Sequence, residues 1–142
     1  PIIIMLAAMI PIGTALQTTG LSDVISSNIS LLAADMSLFW LLLLILIITM
    51  ATTDIINNAA TAVIMAPISA GIGLELGYAI EPFLMVVAVG ASCAFLTPIG
   101  HQCNTVVMGP GNYKFTDYWR LGLPLDILII AVSIPMILFV WT

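Results

Sequence analysis

Charge is what this chain lacks. Among its 142 residues only two are basic and seven acidic, so 6% are charged, where soluble domains run near a quarter. No ordinary water-facing surface can be built from so few. That sets aside a soluble domain and leaves a polytopic membrane protein as the reading. The basic residues are Lys114 and Arg120, too few for a nucleic-acid surface. The acids are scattered, and a net charge of −5 says little about partners. Cysteine is scarce too: Cys93 and Cys103 show neither zinc spacing nor a disulfide framework. The single histidine, His101, has no second ligand at useful spacing, so no structural metal site is expected. A starting Met and a basic leader are missing ahead of "IIIMLAAMI", so the opening is not a signal peptide. The chain reads as a fragment, the C-terminal end of a longer integral membrane protein.

What the sequence does have is apolar runs. Residues 2–17 read as a helix that is apolar all round, with Pro11 and Gly13 inside it. In 21–34, Leu21, Val24, Ile25, Ile29 and Leu32 fall at helical spacing among Ser and Asn, which predicts a short amphipathic helix closed by Asp35. Residues 37–52 predict a strong apolar helix with Trp40 near its start, where an interfacial aromatic belongs. A small-residue helix with Pro67 follows over about 58–74, and "GLELGYAIEP" is a loop. Residues 83–96 are apolar again, with Gly90, Ala91, Ser92 and Ala94 suited to close packing. After the loop "GPGNYKFTDYWR", a last transmembrane helix is expected over 118–141. Both basic residues lie in that loop, which the positive-inside rule places in the cytoplasm.

Two polar breaks interrupt lipid-grade sequence, at 52–61 and at 97–105. Residues 37–52 span only about 24 Å as a helix and 83–96 about 21 Å, short of a ~30 Å hydrocarbon core. Short or interrupted apolar segments point to a transporter's binding site. A helix that stops within the membrane leaves orphan carbonyls and N–H groups, which must be buried in protein or face a watery cavity. There carbonyls ligate cations and helix N-termini attract anions. The stretch "TDIINNAATAVIMAPI" therefore reads as the tip of a re-entrant hairpin over about 37–74, and "TPIGHQCN" as the gap in a discontinuous helix over about 83–108. Plainer roles stand beside these. Asn57 and Asn58 are both good helix caps. Asp54 is equally a functional intramembrane acid, an interfacial residue, or the partner of a cation in a missing half.

The run "INNAATAVIMAPI", followed by "ASCAFLTPIGHQCNTVVMGPGNYKFTDYWRLGLPLDIL", resembles the divalent anion:sodium symporter family, closest to bacterial permeases that often carry inserted TrkA-C domains. The resemblance covers nearly the whole chain and implies the C-terminal one of two inverted repeats, an all-α half-transporter. In that family a Ser-Asn-Thr motif sits on each hairpin tip and faces a broken helix. Carried over, the motif falls on Asn57, Asn58 and Ala59, with only the middle residue kept and Thr61 as the next hydroxyl. The resemblance implies sodium held by Thr53, the Ile56 carbonyl, Asn58 and the Gly100 region, and an anion met by Asn57, Asn58, Thr61, Gln102 and Asn104. Asn104 is also expected to fasten the break to the hairpin. The implied activity is sodium-coupled transport of sulfate or a dicarboxylate, with Na+ as coupling ion and no organic cofactor. The expected partners are the small anion, membrane lipid, the missing N-terminal repeat and a second copy in a homodimer. The expected location is the bacterial inner membrane.

Three rival readings are set against this one. An arsenite or proton-exchange permease of the same superfamily is the nearest. An intramembrane enzyme would use Ser92 and His101, but no third group orders that pair. A channel needs a continuous polar stripe, whereas the polar residues here cluster at two points.

Overall fold

The computed structural model describes residues 18–33 and 36–141, with residues 7, 11, 14 and 15 ahead of them. The helix expected over 2–17 falls largely outside these, as does Asp35. Among the described residues every regular element is an α-helix: α1 (Leu21–Ala33), α2 (Leu38–Thr53), α3 (Asn58–Glu75), α4 (Glu81–Ala91), α5 (Gln102–Met108) and α6 (Phe115–Trp141).

α1 is the amphipathic segment. Two of its polar side chains turn back on their own helix, Ser27 Oγ and Asn28 Nδ2 both donating to the Val24 carbonyl, at 3.1 and 2.7 Å. That satisfies their donors without water. Ser26 is buried against α3, where a Cβ on Gly71 would stand 2.8 Å from its Oγ.

α2 is apolar from Leu38 through Ile48, yet one face enters the core. The buried residues Leu41, Leu42, Ile45, Leu46, Thr49, Met50 and Thr53 recur every three to four positions. Phe39, Trp40, Leu44, Ile47 and Ile48 remain exposed, a surface suited to lipid. Thr49 and Thr52 donate to the carbonyls of Ile45 and Ile48, each at 2.7 Å.

α4 packs against both α2 and α3. Small residues permit this close approach, as they do between helices in lipid. A Cβ on Gly90 would meet Thr49 Cβ at 2.9 Å, and one on Gly73 would meet the Phe83 ring at 3.0 Å. Ser69 Oγ donates to the Phe83 carbonyl at 3.1 Å. α3 ends on a left-handed glycine, Gly77 with φ +75°. The Gly77 N–H reaches the Leu74 carbonyl and the Tyr78 N–H reaches that of Gly73, the paired bonds of a Schellman turn.

The boundaries differ from expectation in a way that matters. α4 stops at Ala91 rather than 96, and α5 resumes at Gln102 rather than 105, so the non-helical segment is 92–101 and not 97–104. Tertiary donors claim the carbonyls that would have continued α4: Thr53 Oγ1 takes that of Ala91 and Asn104 Nδ2 that of Ala94. His101 Nδ1 then caps α5 by accepting from the Cys103 N–H at 3.2 Å. α6 starts at Phe115 rather than 118, because Asp117 Oδ2 accepts from the Lys114 N–H at 2.8 Å and so secures its first turn. At 27 residues, with an 18-residue stretch of mean hydropathy 2.5, α6 is long and apolar enough to cross a membrane.

Candidate functional site

The turn between α2 and α3 and the non-helical segment between α4 and α5 meet in the fold. Thr53, the last residue of α2, is fully buried. Its hydroxyl stands 2.9 Å from Asn58 Oδ1 and 3.0 Å from the Ala91 carbonyl, and its one hydrogen must be shared or exchanged between them. Asp54 follows. Its Oδ1 accepts from the Leu96 N–H at 3.1 Å, and its carbonyl accepts from Thr97 Oγ1 at 2.6 Å. One residue of the turn thus holds the facing segment by side chain and backbone together. Asp54 is only 4% exposed, so it neither snorkels to an interface nor faces water.

Thr97 is the hub of the break. While donating to Asp54, its Oγ1 accepts from the N–H groups of Ile99 and Gly100, at 3.3 and 3.2 Å. Gly100 is pressed onto the turn: a Cβ there would lie 2.8 Å from the Thr53 carbonyl oxygen and 3.0 Å from Asp54 Cα. Backbone cannot yield as a side chain can, so the close approach requires glycine. Thr105 Oγ1 donates to the Pro98 carbonyl at 2.6 Å, and Tyr118 Oη on α6 donates to the Asn104 carbonyl at 2.7 Å.

The residues singled out from sequence fall into distinct places. Thr53, Asn58 and Gly100 come together. The Ile56 side chain lies exposed on the turn. Asn57 is the N-cap of α3, with φ −168° and its Oδ1 accepting from the Ala60 N–H at 2.9 Å. Asn58 is the first residue of α3, and its Nδ2 makes no hydrogen bond among the described residues. Thr61 is fully buried, its Oγ1 without a partner among the described residues, so it does not share the surface that Asn57 and Asn58 present. Gln102 is exposed at the start of α5. Asn104 does not reach the hairpin, as the sequence suggested. Its Nδ2 spans the break itself, donating to the carbonyls of Ala94 at 2.9 Å and Thr97 at 3.2 Å. Thr97 and Tyr118 were not among the expected residues. A Thr just ahead of Pro98 is a turn-forming signal, whereas nothing local marks Tyr118.

Arranged this way, the junction can do two things. A hydroxyl and an amide oxygen beside a crowd of backbone carbonyls suit a hard cation. An uncommitted amide NH2 at the start of the 18-residue α3 offers a donor where the helix dipole is positive.

All of residues 1–142 match the sodium:sulfate symporter transmembrane region. An uncharacterized transporter of Synechocystis is 39% identical over 136 residues, which cover 96% of this chain and 22% of the relative. The uncharacterized transporter YfbS of Escherichia coli is 38% identical over 137 residues, again 96% of this chain and 22% of the relative. Sodium/sulfate cotransporter 2 of Chlamydomonas reinhardtii is 28% identical over 129 residues, 90% of this chain and 15% of that protein. The chain therefore spans about a fifth of the length of the first curated relatives it matches. It is an integral membrane protein, and it belongs to the family of the sodium:sulfate symporter transmembrane region.

Proposed function

We propose that the protein is a sodium-coupled secondary transporter of a small divalent anion, sulfate first and a dicarboxylate second, in the inner membrane of a bacterium. The observation that carries this reading is the junction of Thr53, Asn58 and Gly100, where the turn after α2 presses on the gap between α4 and α5. On this reading α2 and α3 are the arms of a re-entrant hairpin, and α4 and α5 the halves of a discontinuous helix. A second, inverted repeat supplies the facing tip, and two copies form a homodimer. Sodium sits among Thr53, Asn58 and the carbonyls near Ile56 and Gly100. The anion then meets the Asn58 NH2, with Asn57 and Gln102 at the same opening.

The coupling follows from charge. A divalent anion entering a negative-inside cell opposes the potential by ~2.3 kcal/mol per charge per 100 mV. Cations must therefore travel with it, and on this reading they bind first and neutralise the site. One module moving against a scaffold would expose the site to each side in turn. The name of the algal relative supports sulfate, and the amide-rich tip fits it.

The test is uptake of labelled sulfate and of labelled succinate by the full-length protein in proteoliposomes, with an inward sodium gradient against an equal choline gradient. Sodium-driven sulfate uptake is expected. Uptake of both anions that ignores sodium would overturn the reading.

A further inference from the structure

A second polar constellation stands beside this junction, and the transport reading above does not use it. Asp126 lies within α6, in "LPLDILII", and is 6% exposed. Asp54, on the turn, is buried to the same degree. Each keeps one carboxylate oxygen buried and without a hydrogen-bond partner among the described residues: Oδ2 of Asp54 and Oδ1 of Asp126.

The two belong to one neighbourhood. The Leu96 N–H that donates to Asp54 Oδ1 also abuts α6, where a Cβ on Gly122 would come 3.1 Å from Leu96 N. Gly122 and Asp126 are four residues apart, so they stack on one face of the helix, and that face is the buried one. Cys93, three residues ahead of Leu96, is buried too. The Cys93 thiol is itself spent, donating to the Val89 carbonyl at 3.1 Å.

Two buried carboxylates must be neutralised, by a proton or by a cation, since an unpaired buried ion is strongly disfavoured. The described basic side chains, Lys114 and Arg120, are both exposed. No third His, Cys, Asp or Glu joins the pair in a metal-ligating group among the described residues. Carbonyls or water would therefore complete any shell. An all-oxygen donor set of this kind suits a hard cation and not a thiophilic transition metal.

We propose that Asp54 and Asp126 form a cation site between the turn and the last helix, taking a hard monovalent cation apart from the Thr53–Asn58 group. The choice of sodium as that cation rests on the sodium-coupled reading. An ion there ties the turn to α6, so its occupancy sets how firmly the junction is held.

The experiment is equilibrium binding of radioactive sodium to the purified full-length protein in lipid nanodiscs, with no anion other than chloride present. Asp126→Asn is expected to bind one sodium fewer per chain than the natural protein, with the remaining sodium bound at a raised midpoint because the junction is held less firmly. An Asp126→Asn protein that is monodisperse and binds the same amount at the same midpoint overturns the proposal. So does a change in proton uptake with no change in bound sodium, which would make the pair a proton site. Should Asp126→Asn fail to fold, Asp126→Glu keeps the charge and is expected to bind the full amount with a shifted midpoint; an unshifted midpoint overturns the site. The readout involves no transport. If sulfate uptake fails while Asp126→Asn still loses a sodium, the transport reading falls and the cation site stands. If uptake succeeds while sodium binding is indifferent to Asp126, the reverse holds.

Discussion

Asn57 and Asn58 are neighbours with identical side chains, and the fold separates their roles. Asn57 spends its Oδ1 on the Ala60 N–H as a cap. Asn58 turns its Oδ1 to Thr53 and leaves its NH2 uncommitted. Asn57→Ala should therefore cost about 1 kcal/mol of stability, the worth of an N-cap, and shift the sodium midpoint of uptake far less than Asn58→Ala does. Asn58→Ala should raise that midpoint by about 5- to 150-fold, because an unmet ligand costs ~1–3 kcal/mol in a site with little water to replace it. Anion affinity should weaken in step, since coupling between sites is reciprocal. Uptake against sodium concentration for both variants checks this, and an unchanged midpoint for Asn58→Ala would return Asn58 to a merely structural role. Gly100 supplies a second test at this scale. Gly100→Ala drives a methyl into the Thr53 carbonyl and Asp54 Cα, neither of which can give way without moving the turn. Overpacking of that kind costs about 1–3 kcal/mol, so a lower melting temperature together with lost uptake is expected.

At the scale of elements, legibility followed locality. The amphipathic α1 shows in the spacing of Leu21, Val24, Ile25 and Ile29. The end of α2 shows in the sudden cluster from Thr49 to Asn58, and the turn at 54–57 lies inside it. The end of α4 was not legible. "ASCAFL" continues the apolar pattern, and nothing local says that Ala91 and Ala94 lose their carbonyls to Thr53 and Asn104, 38 and 10 residues away. The same holds for Asp54, whose partners lie 42 and 43 residues on. The small-residue face around Gly90 was legible, and it offers a prediction. Gly90→Ala should separate α2 from α4, because the new Cβ meets Thr49 Cβ at 2.9 Å and Thr49 Cγ2 at 3.1 Å. Thermal unfolding should show a loss of about 1–3 kcal/mol. Thr49→Ser, which removes the Cγ2, should recover part of it in the double variant. Strict additivity of the two changes would show that they do not share this contact.

For the whole molecule the question is how the helices lie across the bilayer. α2, α4 and α5 have 16, 11 and 7 residues, about 24, 16 and 10 Å of helix, none enough for a ~30 Å core. α6 has 27 residues, about 40 Å, so its ends reach both interfaces. Tryptophans mark those ends: Trp119 near the start and Trp141 at the finish are both exposed, as interfacial aromatics are. Lys114 and Arg120 stand at the Trp119 end, and the positive-inside rule then puts that end in the cytoplasm. The prediction is a polarity for the full-length protein. A cysteine at Asn112, in a background where Cys93 and Cys103 are replaced by Ser and Ala, should react with a membrane-impermeant maleimide in inside-out vesicles and stay silent in right-side-out ones. A cysteine at Trp141 should show the opposite pattern. Labelling of both positions from the same side would mean that α6 does not cross. Exchange of the two patterns would mean that two basic residues were outvoted by charges elsewhere in the protein.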